Sequence, residues 1–475
     1  MSEMPDLKQL SDAAKDALIC KLWPLQLAVK ELTDRVYELE IRVKKNSRNS
    51  SKPPSTDGLS KPPPKSLREA SGRKPGGQPG HKGTTLKCSD TPTQTITHPL
   101  PLACEGCGQA LDQAAATQLK ERRQVFDIPM PSHTITEHRI LQVSCTCGQV
   151  HRSQFPDDIN VPAQYGPTLK ALVVDLTQHQ MVAVDRAAGL IKDLYSLPLS
   201  NGTIINIIKE AADILEPTVH RIAIAITQAQ AAGADETGMR VMSKLHWAHA
   251  LATPKFTWMG VHAKRGCEAI DEFNYIPLFK GILGHDGWMP YRAYTLCDHS
   301  LCNTHHVREL RAVGEDTLQV WTEQMVTLLY SANDEVNAAP GRRLSQERID
   351  ALRTEYRTII WAGDALNPVQ PSKGKRGRIK QSNATNLLIR LRTYEDDVLR
   401  FTFDPNAPFT NNIAEQAIRM NKVKQKVSGC FRTFKGAQAF CTIRSYLATL
   451  NKQKMNLFES LVEALRGNVP QPCFS

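Results

Sequence analysis

Three acidic side chains stand in segments that could bring them to one point of a fold. Asp235 lies in a strand-like segment after small residues, Asp286 ends a later strand-like segment, and Glu415 lies near the start of a helical one. Clustered carboxylates repel one another, and two Mg²⁺ ions would relieve that repulsion while binding the oxygens of a phosphate substrate. The residue types therefore favour a metal site, although an aspartate at a strand end also commonly caps a turn.

The segment FTNNIAEQAIRMNKVKQK, residues 409–426, places Glu415 ahead of a row of cations. These cations are Arg419, Lys422, Lys424 and Lys426. Helical spacing predicts an apolar face formed by Ile413, Ala417 and Met420. Glu415 then lies on a polar face with cations that would bind DNA phosphates. The structural alternative is a capping box from Asn412 to Glu415, together with an ion pair between Glu415 and Arg419.

Charge and composition favour a polyanionic partner. The 475 residues carry a net charge of +11, with a pI near 9.0. Residues 44–87 hold eleven Lys or Arg against two acids, and residues 415–444 hold seven against Glu415 alone. Such clustering is typical of nucleic-acid binding. The polar N-terminus and the lack of a long apolar run predict a cytosolic protein whose twelve cysteines are thiols or metal ligands.

The N-terminal segment carries a heptad pattern of apolar residues. Its members are Leu18, Leu22, Leu25, Val29, Leu32, Val36, Leu39 and Val43. We predict a coiled coil that self-associates, in preference to a single docked helix, with the continuous helix starting at Pro24. A basic linker rich in Pro, Gly and Ser follows, in which Arg73, Lys74 and Lys82 are candidate DNA contacts or plain solvated residues.

Two cysteine pairs precede the carboxylates. Cys104 and Cys107 form a CxxC motif, whereas Cys145 and Cys147 form a CxC motif. A pair of this kind places two thiolates on one tetrahedral ion, so the four cysteines predict a structural Zn²⁺ site. His151 is an alternative ligand, and paired thiols without a metal are the plain alternative.

Two helices joined by a short turn are predicted within residues 185–211. Ser200, or Asn201 beside it, would cap the second helix. A helix-turn-helix begins its recognition helix at such a position, which makes Asn201 and Thr203 candidate DNA-binding residues. An ordinary helical hairpin gives the same pattern.

After residue 231 the pattern of the sequence changes from helical to strand-like. The segments AGADETGMRV, HWAHALA and FTWMGVH are three short strand candidates, followed by a helix near 266–277 and a strand that ends at Asp286. Residues 303–400 are predicted to be mainly helical. This order favours a multidomain α/β protein with a mixed sheet.

Four motifs carry a resemblance to a known family. They are ADETGMRV, GHDGWMPY, LCNTHHVREL and the long segment from FTNNIAEQAIRMNKVKQK through VSGCFRTFKGAQAFCTIRSYLATLNKQ. With the linker NSRNSSKPPSTDG and RKPGGQPGHKGTTL, they resemble the insertion sequence 66 family of bacterial transposases over almost the whole chain.

The resemblance implies a DDE transposase with a ribonuclease H-like core that uses Mg²⁺ or Mn²⁺. By motif, Asp235, Asp286 and Glu415 match the three catalytic acids, and the family also implies a helical insertion and helper proteins. The family's second cysteine pair is usually CxxC, so the CxC here leaves the zinc ligand set open. Cys302, His305 and His306 of CNTHH are interpreted as packing or positioning residues rather than metal ligands, and Glu236 and Asp298 as acids with weaker claims.

The predicted function is metal-dependent DNA cleavage at element ends and strand transfer to target DNA. The rivals are a non-catalytic DNA-binding regulator or inactive transposase relic, and a nuclease without joining activity. The predicted segments are a coiled-coil oligomerisation arm (1–45), a basic linker (46–90), a zinc-binding-like module (91–160), a helix-turn-helix-like region (161–222), a ribonuclease H-like catalytic domain with a helical insertion at about 303–400 (223–430), and a C-terminal helical region (431–475).

Overall fold

A computed structural model describes residues 11–44, 80, 86–112, 119–371, 379 and 381–474. The chain divides into two compact units, one formed by residues 65–138 and the other by residues 1–64 with 139–475. Within the described ranges, no helix combines the length and the apolar character needed to cross a membrane. Most of the predicted linker, including Arg73, Lys74 and Lys82, lies outside the described residues.

Helix α1 spans Asp12–Lys44 and includes Pro24 in its interior. The expectation that the helix starts at Pro24 is therefore wrong, since it begins twelve residues earlier. Proline removes one backbone donor from a helix interior, but the flanking Leu, Ala and Lys residues favour helix strongly enough to continue it. The heptad residues Leu25, Val29 and Leu32 are 60%, 61% and 64% exposed, so this seam is uncovered in the single chain.

The unit of residues 65–138 contains, in its described part, one isolated bridge between Ala103 and Ala110 and no longer helix or strand. In the other unit, the first regular structure after residue 139 is a short hairpin of β1 (Gln142–Ser144) and β2 (Val150–Arg152). The predicted zinc-binding-like module is thus divided between the two units, and each cysteine pair is described within its own unit.

In the described residues, three helices lie between the β1–β2 hairpin and the main sheet. They are α2 (Pro167–Val174), α3 (Val184–Tyr195) and α4 (Asn201–Thr227), with one π-helical turn at Asp175–His179 after α2. Ser200 caps α4 as predicted, because its hydroxyl accepts the Thr203 N–H at 3.1 Å. Much of α4 is buried, so it serves as a core helix along most of its 27 residues.

The sheet that follows has five strands in the order β5-β4-β3-β6-β7. The strands are β3 (Ala231–Val241), β4 (Lys244–Ala252), β5 (Thr257–His262), β6 (Ile282–His285) and β7 (Asp298–Leu301), with α5 (Cys267–Phe273) between β5 and β6. The first three strands are antiparallel, whereas β6 and β7 run parallel to β3. The predicted three strands, helix and further strand are therefore confirmed. Met242 and Ser243 join β3 to β4 in a tight turn with positive φ at both residues, which matches the twist of a hairpin.

The described residues between β7 and residue 400 form five further α-helices. The prediction that residues 303–400 are mainly helical is therefore confirmed. These helices are α6 (Asn303–Thr317), α7 (Val320–Ala338), α8 (Gln346–Leu366), α9 (Asn383–Thr393) and α10 (Glu395–Leu399). They pack, together with Ile282 of β6 and Leu301 of β7, in an apolar core around Trp321, Tyr356 and Phe401.

The chain ends in α11 (Asn412–Ser428), α12 (Phe434–Lys452) and α13 (Leu457–Leu465). The sheet is covered on both faces. Along β3, Ala232 and Ala234 join the core that contains α4, while Met239 and Val241 join the core that contains α11 residues. The predicted segments 161–222, 223–430 and 431–475 therefore contribute to shared cores.

Candidate catalytic site

The parallel pairing of β3 with β6 sets the first two acids side by side. Gly233 pairs with Gly284 in this register. Asp235 follows Gly233 by two residues, and Asp286 follows Gly284 by two residues. Side chains two residues apart in a strand point to the same face, and neighbouring strands lie about 4.8 Å apart. The topology thus brings both aspartates to one face at the carboxyl end of β6.

Helix α11 packs on this face through the two paired glycines. A Cβ atom added to Gly233 would lie 2.3 Å from Oδ1 of Asn411 and 3.0 Å from Cγ2 of Ile413. At Gly284 the same construction gives 3.7 Å to Asn411 Oδ1. The absence of a side chain at Gly233 therefore allows the start of α11 to approach the strand closely, whereas a Cβ at Gly284 would make only an ordinary contact.

Both ends of α11 are attached to strand β3. At its start, Nδ2 of Asn411 donates to the Ala234 carbonyl at 2.8 Å. After its end, the N–H of Phe431 donates to the Arg240 carbonyl at 2.9 Å, and the N–H of Met242 donates to the Phe431 carbonyl at 2.8 Å. Glu415 lies one turn after Asn411, so these contacts fix the third acid over the face that carries Asp235.

The electrostatics of Asp235 reflect this crowding. Burial raises its pKa well above the ordinary range, and repulsion by Glu236, Asp286 and Glu415 raises it further. Its Oδ1 accepts the N–H of Glu236 at 2.9 Å, which opposes the rise only in part. A divalent cation would stabilise the ionised carboxylates, and three acids of this kind supply the hard oxygen ligands that Mg²⁺ prefers. The residues present therefore fit the metal that the resemblance implies.

Asp286 and the residues after it form a tight turn. Its Oδ1 accepts the N–H of Trp288 at 2.9 Å. Gly287 has a φ of 91°, a left-handed conformation that glycine adopts without strain. The buried ring of His285 accepts the Gly287 N–H at Nδ1 over 3.0 Å, and burial lowers the pKa of this histidine well below its usual value. The hydrogen bonds of His285 and of Asp286 itself, to the backbone N–H groups of Gly287 and Trp288, therefore fix the backbone conformation at Asp286.

Glu236, on the opposite face of β3, belongs to a separate network. Its carboxylate accepts Nε of Arg265 at 2.9 Å and the Tyr291 hydroxyl at 2.5 Å. The guanidinium of Arg265 lies over the rings of Trp247 and Trp288, at 4.9 and 4.1 Å from their centroids. Arg265 and Tyr291 are not predictable from the sequence. What distinguishes them is their contact with the buried Glu236, which is distant from both in the sequence.

The CNTHH motif lies directly beside Glu415. Cys302 Sγ is 3.8 Å and His305 Nδ1 is 3.7 Å from Oε1 of Glu415. The motif's other histidine, His306, is buried and contacts Oδ1 of Asn303 at 3.2 Å, which is a packing role. Asp298, the remaining acid considered, lies 3.4 Å from Arg400. Among these positions, Cys302 and His305 are the ones that contact a proposed catalytic acid.

Comparison with known protein families gives two matches. The family model described as Transposase IS66 family matches residues 162–439, more than half of the chain. The chain belongs to the IS66 transposase family. The resemblance drawn from the motifs is thereby confirmed for this transposase. A model described as a family of unknown function (DUF6444) matches residues 2–87. The search of curated proteins found no match.

The apolar face predicted for α11 in this IS66-family transposase contacts the core, although its residues are only half-buried. Ala417 and Met420 pack against a buried cluster, and Ile413 lies against Gly233. The fully buried positions, which are Ala414, Ile418, Asn421 and Lys424, lie one residue further along the helix. The capping-box alternative is wrong. Asn411 is the N-cap and no side chain caps the helix start. Among the described ion pairs, Glu415 pairs with His305 rather than with Arg419.

The four cations after Glu415 have different surroundings. Arg419 and Lys426 are exposed, as a DNA contact requires. Lys422 is half-buried and its ammonium group donates to the Gly238 carbonyl. Lys424 is buried and its ammonium group donates to the Thr177 carbonyl at 3.1 Å, in the π-helical turn. Burial lowers the pKa of both lysines. Arg419 and Lys426 are therefore the two residues of this helix that remain proposed DNA contacts.

The predicted contacts at the start of α4 are engaged within the protein. Asn201 is exposed, and its side-chain amide donates to Asp185. The Thr203 hydroxyl lies 2.9 Å from that of Ser200, the capping residue. Arg73, Lys74 and Lys82, the other predicted contacts, fall outside the described residues.

The two cysteine turns are built alike. The Cys104 N–H donates to the Gln109 carbonyl at 2.8 Å, and the Cys145 N–H donates to the Gln149 carbonyl at 2.7 Å. Hydrogen bonds from the backbone of Gly106 and Cys107 lower the pKa of the Cys104 thiol. The backbone and the thiol of Cys147 do the same for Cys145. Each turn thus favours thiolate, the form that binds metal.

Proposed function

We propose that this IS66-family transposase binds the ends of its element, cleaves the DNA and joins the freed 3′-hydroxyls to target DNA. Asp235, Asp286 and Glu415 would be its catalytic acids. One observation carries the proposal: the register that pairs Gly233 with Gly284 sets two acids side by side on the face against which the helix of the third acid is packed.

The architecture supports a ribonuclease H-like core. The sheet is mixed, Asp235 lies on its central strand, and Asp286 directly follows the neighbouring parallel strand. The helices α6–α10 stand between the second and third acids, which agrees with the helical insertion that the family resemblance implies.

Mg²⁺ or Mn²⁺ would be held by Asp235, Asp286 and Glu415. When bound, such ions activate the attacking oxygen and stabilise the leaving oxygen of an in-line phosphoryl transfer. Burial and the neighbouring acids raise the pKa of Asp235, so a cation would stabilise its ionised form. Glu415 would orient the attacking group from the opposite side. No covalent bond between protein and DNA is needed.

Arg419 and Lys426 would bind DNA phosphates along the exposed side of α11. Each phosphate contact releases counterions, so binding should weaken steeply as salt increases. Asn201 and Thr203 remain proposed DNA contacts through the start of α4, and the linker cations Arg73, Lys74 and Lys82 remain proposed as well.

Further parts of the function rest on other segments. The exposed seam of α1 supports self-association through a coiled coil, which would bring two element ends together. The lowered pKa values within the two cysteine turns support Zn²⁺ binding by Cys104, Cys107, Cys145 and Cys147. We also propose a place in the bacterial cytoplasm, at the nucleoid, and a contribution from helper proteins of the same element.

The test uses purified protein, labelled DNA that carries the element's ends, and Mg²⁺ or Mn²⁺. Nicking at the 3′ ends and joining to target DNA are scored for the parent and for Asp235→Asn, Asp286→Asn and Glu415→Gln. Asp213→Asn and Glu268→Gln are matched controls, because both acids are exposed and lie on the helices α4 and α5, which carry none of the three proposed catalytic acids. DNA binding is measured in parallel.

We expect all variants to bind DNA, the controls to cut it and the three triad variants not to cut. Equal cutting by the parent and by Glu415→Gln would remove Glu415 from the set. A parent that cuts but never joins would indicate the nuclease. If the parent is inactive, the helper proteins are added, and continued inactivity with intact DNA binding would favour the regulator.

A further inference from the structure

Cys302, His305 and Glu415 form a cluster that the proposed cleavage chemistry does not use as a unit. One ligand atom from each residue lies within 4.8 Å of the other two. The shared atom is Oε1 of Glu415, which lies 3.8 Å from Cys302 Sγ and 3.7 Å from His305 Nδ1. A thiol, an imidazole and a carboxylate oxygen therefore point toward one small volume.

These separations are close to those of a tetrahedral zinc site. Bonds of about 2.3 Å to sulfur and about 2.0 Å to nitrogen or oxygen place neighbouring ligand atoms roughly 3.3–3.5 Å apart. The two separations from Oε1 of Glu415 exceed these values by only a few tenths of an ångström, and the ligand atoms of Cys302 and His305 lie within 4.8 Å of each other. Rotations of the side chains would close the site. Thiolate and imidazole ligands select Zn²⁺ over Mg²⁺, because Mg²⁺ prefers oxygen ligands.

The surroundings of His305 point to a ligand independently of these distances. Its Nδ1 is buried and has no hydrogen-bond partner, whereas buried polar atoms are normally paired. The side chain as a whole is only 13% exposed. A metal bond at Nδ1 would satisfy this atom.

Cys302 is held in place by the segments around it. It follows β7 and is the N-cap residue of α6. Its Sγ accepts the N–H of Asn411 at 3.2 Å, and its own N–H donates to the His285 carbonyl at 2.9 Å. The first of these bonds ties the sulfur to the start of the helix that carries Glu415. The cluster is therefore built on rigid elements rather than on a loose loop.

We propose that Cys302, His305 and Glu415 bind a Zn²⁺ ion, and that this ion withdraws Glu415 from Asp235 and Asp286 and thereby inhibits cleavage. The inhibitory part rests on the proposed function, whereas the zinc site does not. Three protein ligands leave a fourth position for a water molecule. Because both short contacts involve Oε1 of Glu415, zinc would compete for the oxygen that a catalytic Mg²⁺ needs.

Binding is tested first on the full-length chain. Zinc content after dialysis is measured for the parent, Cys302→Ser and His305→Asn, with Cys430→Ser as a control that removes an exposed thiol. Cobalt(II) replaces zinc in a second series, in which thiolate ligands give a charge-transfer absorption band. Circular dichroism establishes that each variant is folded.

We expect Cys302→Ser and His305→Asn each to bind one zinc ion fewer than the parent, and Cys430→Ser to bind as many as the parent. Cys302→Ser should also lose part of the cobalt–thiolate absorption. Equal zinc content in all four folded proteins would overturn the site. Using His305→Asn alongside Cys302→Ser keeps the test decisive if one variant fails to fold.

The inhibitory role is tested by titrating zinc into cleavage reactions at fixed Mg²⁺, with each protein normalised to its own zinc-free rate. The zinc concentration for half-inhibition should rise by at least about 10-fold in Cys302→Ser and His305→Asn, since even an indirect partner of a metal contributes that much affinity. Equal inhibition of parent and variants would overturn the inhibitory role while the proposed function stands. A third outcome is that the variants lose zinc but no protein cleaves DNA, even with the helper proteins added. That outcome would support the zinc site and contradict both the inhibitory role and the proposed function.

Discussion

The side-chain amide of Asn411 donates a 2.8 Å hydrogen bond to the backbone carbonyl of Ala234. This bond joins the helix that carries Glu415 to the strand residue immediately before Asp235. The backbone N–H of Asn411 meanwhile donates to Cys302 Sγ. The position of the third acid is thus set by the residue that precedes its helix, and changes at that contact should act on the site without touching an acid.

Gly233→Ala tests the close approach between α11 and β3. The new methyl group would lie 2.3 Å from Asn411 Oδ1, so the helix must shift. We expect the free energy of unfolding to fall by about 1–3 kcal/mol, as for other overpacked cores. Cleavage of end DNA should fall as well, because Glu415 moves with the helix. Urea denaturation and the cleavage assay measure the two effects.

Gly189→Ala is the matched control, since Gly189 lies within α3 and no atom is within 4 Å of an added Cβ. It should be neutral or stabilise the protein by up to about 1 kcal/mol, because alanine favours helix. Equal effects of the two substitutions would contradict the close approach.

Lys424→Met and Lys426→Met separate packing from DNA binding on the same helix. Lys424→Met leaves the Thr177 carbonyl without its ammonium partner and should lower the free energy of unfolding by about 1–3 kcal/mol. Lys426→Met should leave stability within about 0.5 kcal/mol. It should reduce the slope of log K against log salt by about 0.9, the contribution of one phosphate contact.

These two effects are measured by chemical denaturation and by DNA binding at several salt concentrations. An unchanged salt slope in folded Lys426→Met would exclude that lysine as a phosphate contact.

Arg265→Leu tests the network behind Asp235. Glu236 has a side chain only 2% exposed and loses its ion-pair partner in this variant, keeping the Tyr291 hydroxyl. We expect the free energy of unfolding to fall by about 2–3 kcal/mol, because an unpaired buried carboxylate is costly. Arg357→Leu is the control, since Arg357 also pairs with a glutamate but is 64% exposed, and should cost less than about 1 kcal/mol. Thermal and urea denaturation of both variants would settle the comparison.

His249 predicts a pH dependence of stability. Burial lowers its pKa from 6.5 to about 4. The unfolded chain therefore binds a proton between pH 6.5 and pH 4 that the folded protein does not bind, and stability falls as pH decreases through this range. The loss should reach about 3 kcal/mol from this residue.

The measurement is urea denaturation from pH 7 to pH 4.5. His249→Leu should flatten the pH dependence, whereas His246→Leu, a half-buried histidine on the same strand, should keep it. A parallel shift of both variants would argue against the assignment to His249.

The sequence predicted the sheet well, because its strands alternate or run apolar between clear turn residues. It also predicted Ser200 as a cap and the strand positions of Asp235 and Asp286. The apolar face predicted for α11 packs against the core, but the fully buried positions lie one residue later. Ala414 is less apolar than Ile413, and Asn421 and Lys424 are polar residue types, so the sequence does not predict their burial. Lys424 is satisfied by a carbonyl 247 residues earlier, which no local pattern can reveal.

The contacts of Cys302 and His305 with Glu415 could not be predicted either, because they also join residues that are distant in the sequence. No second Cys/His pair stands near Cys302 in the sequence, whereas the structure supplies Glu415 from a helix that begins 110 residues later. Close contacts between distant segments depend on the fold, and here on Gly233, which allows the helix to approach.

The five inserted helices also impose an order in time. Glu415 follows Asp286 by 129 residues, so at about 5–20 residues per second a ribosome reaches it roughly 6–26 s later. During that interval the nascent chain already contains the heptad segment, the cysteine turns and two of the three acids, but not the helix that carries the third. A chain whose synthesis stops within the insertion therefore lacks Glu415, and all three proposed catalytic acids are present only after translation has passed residue 415.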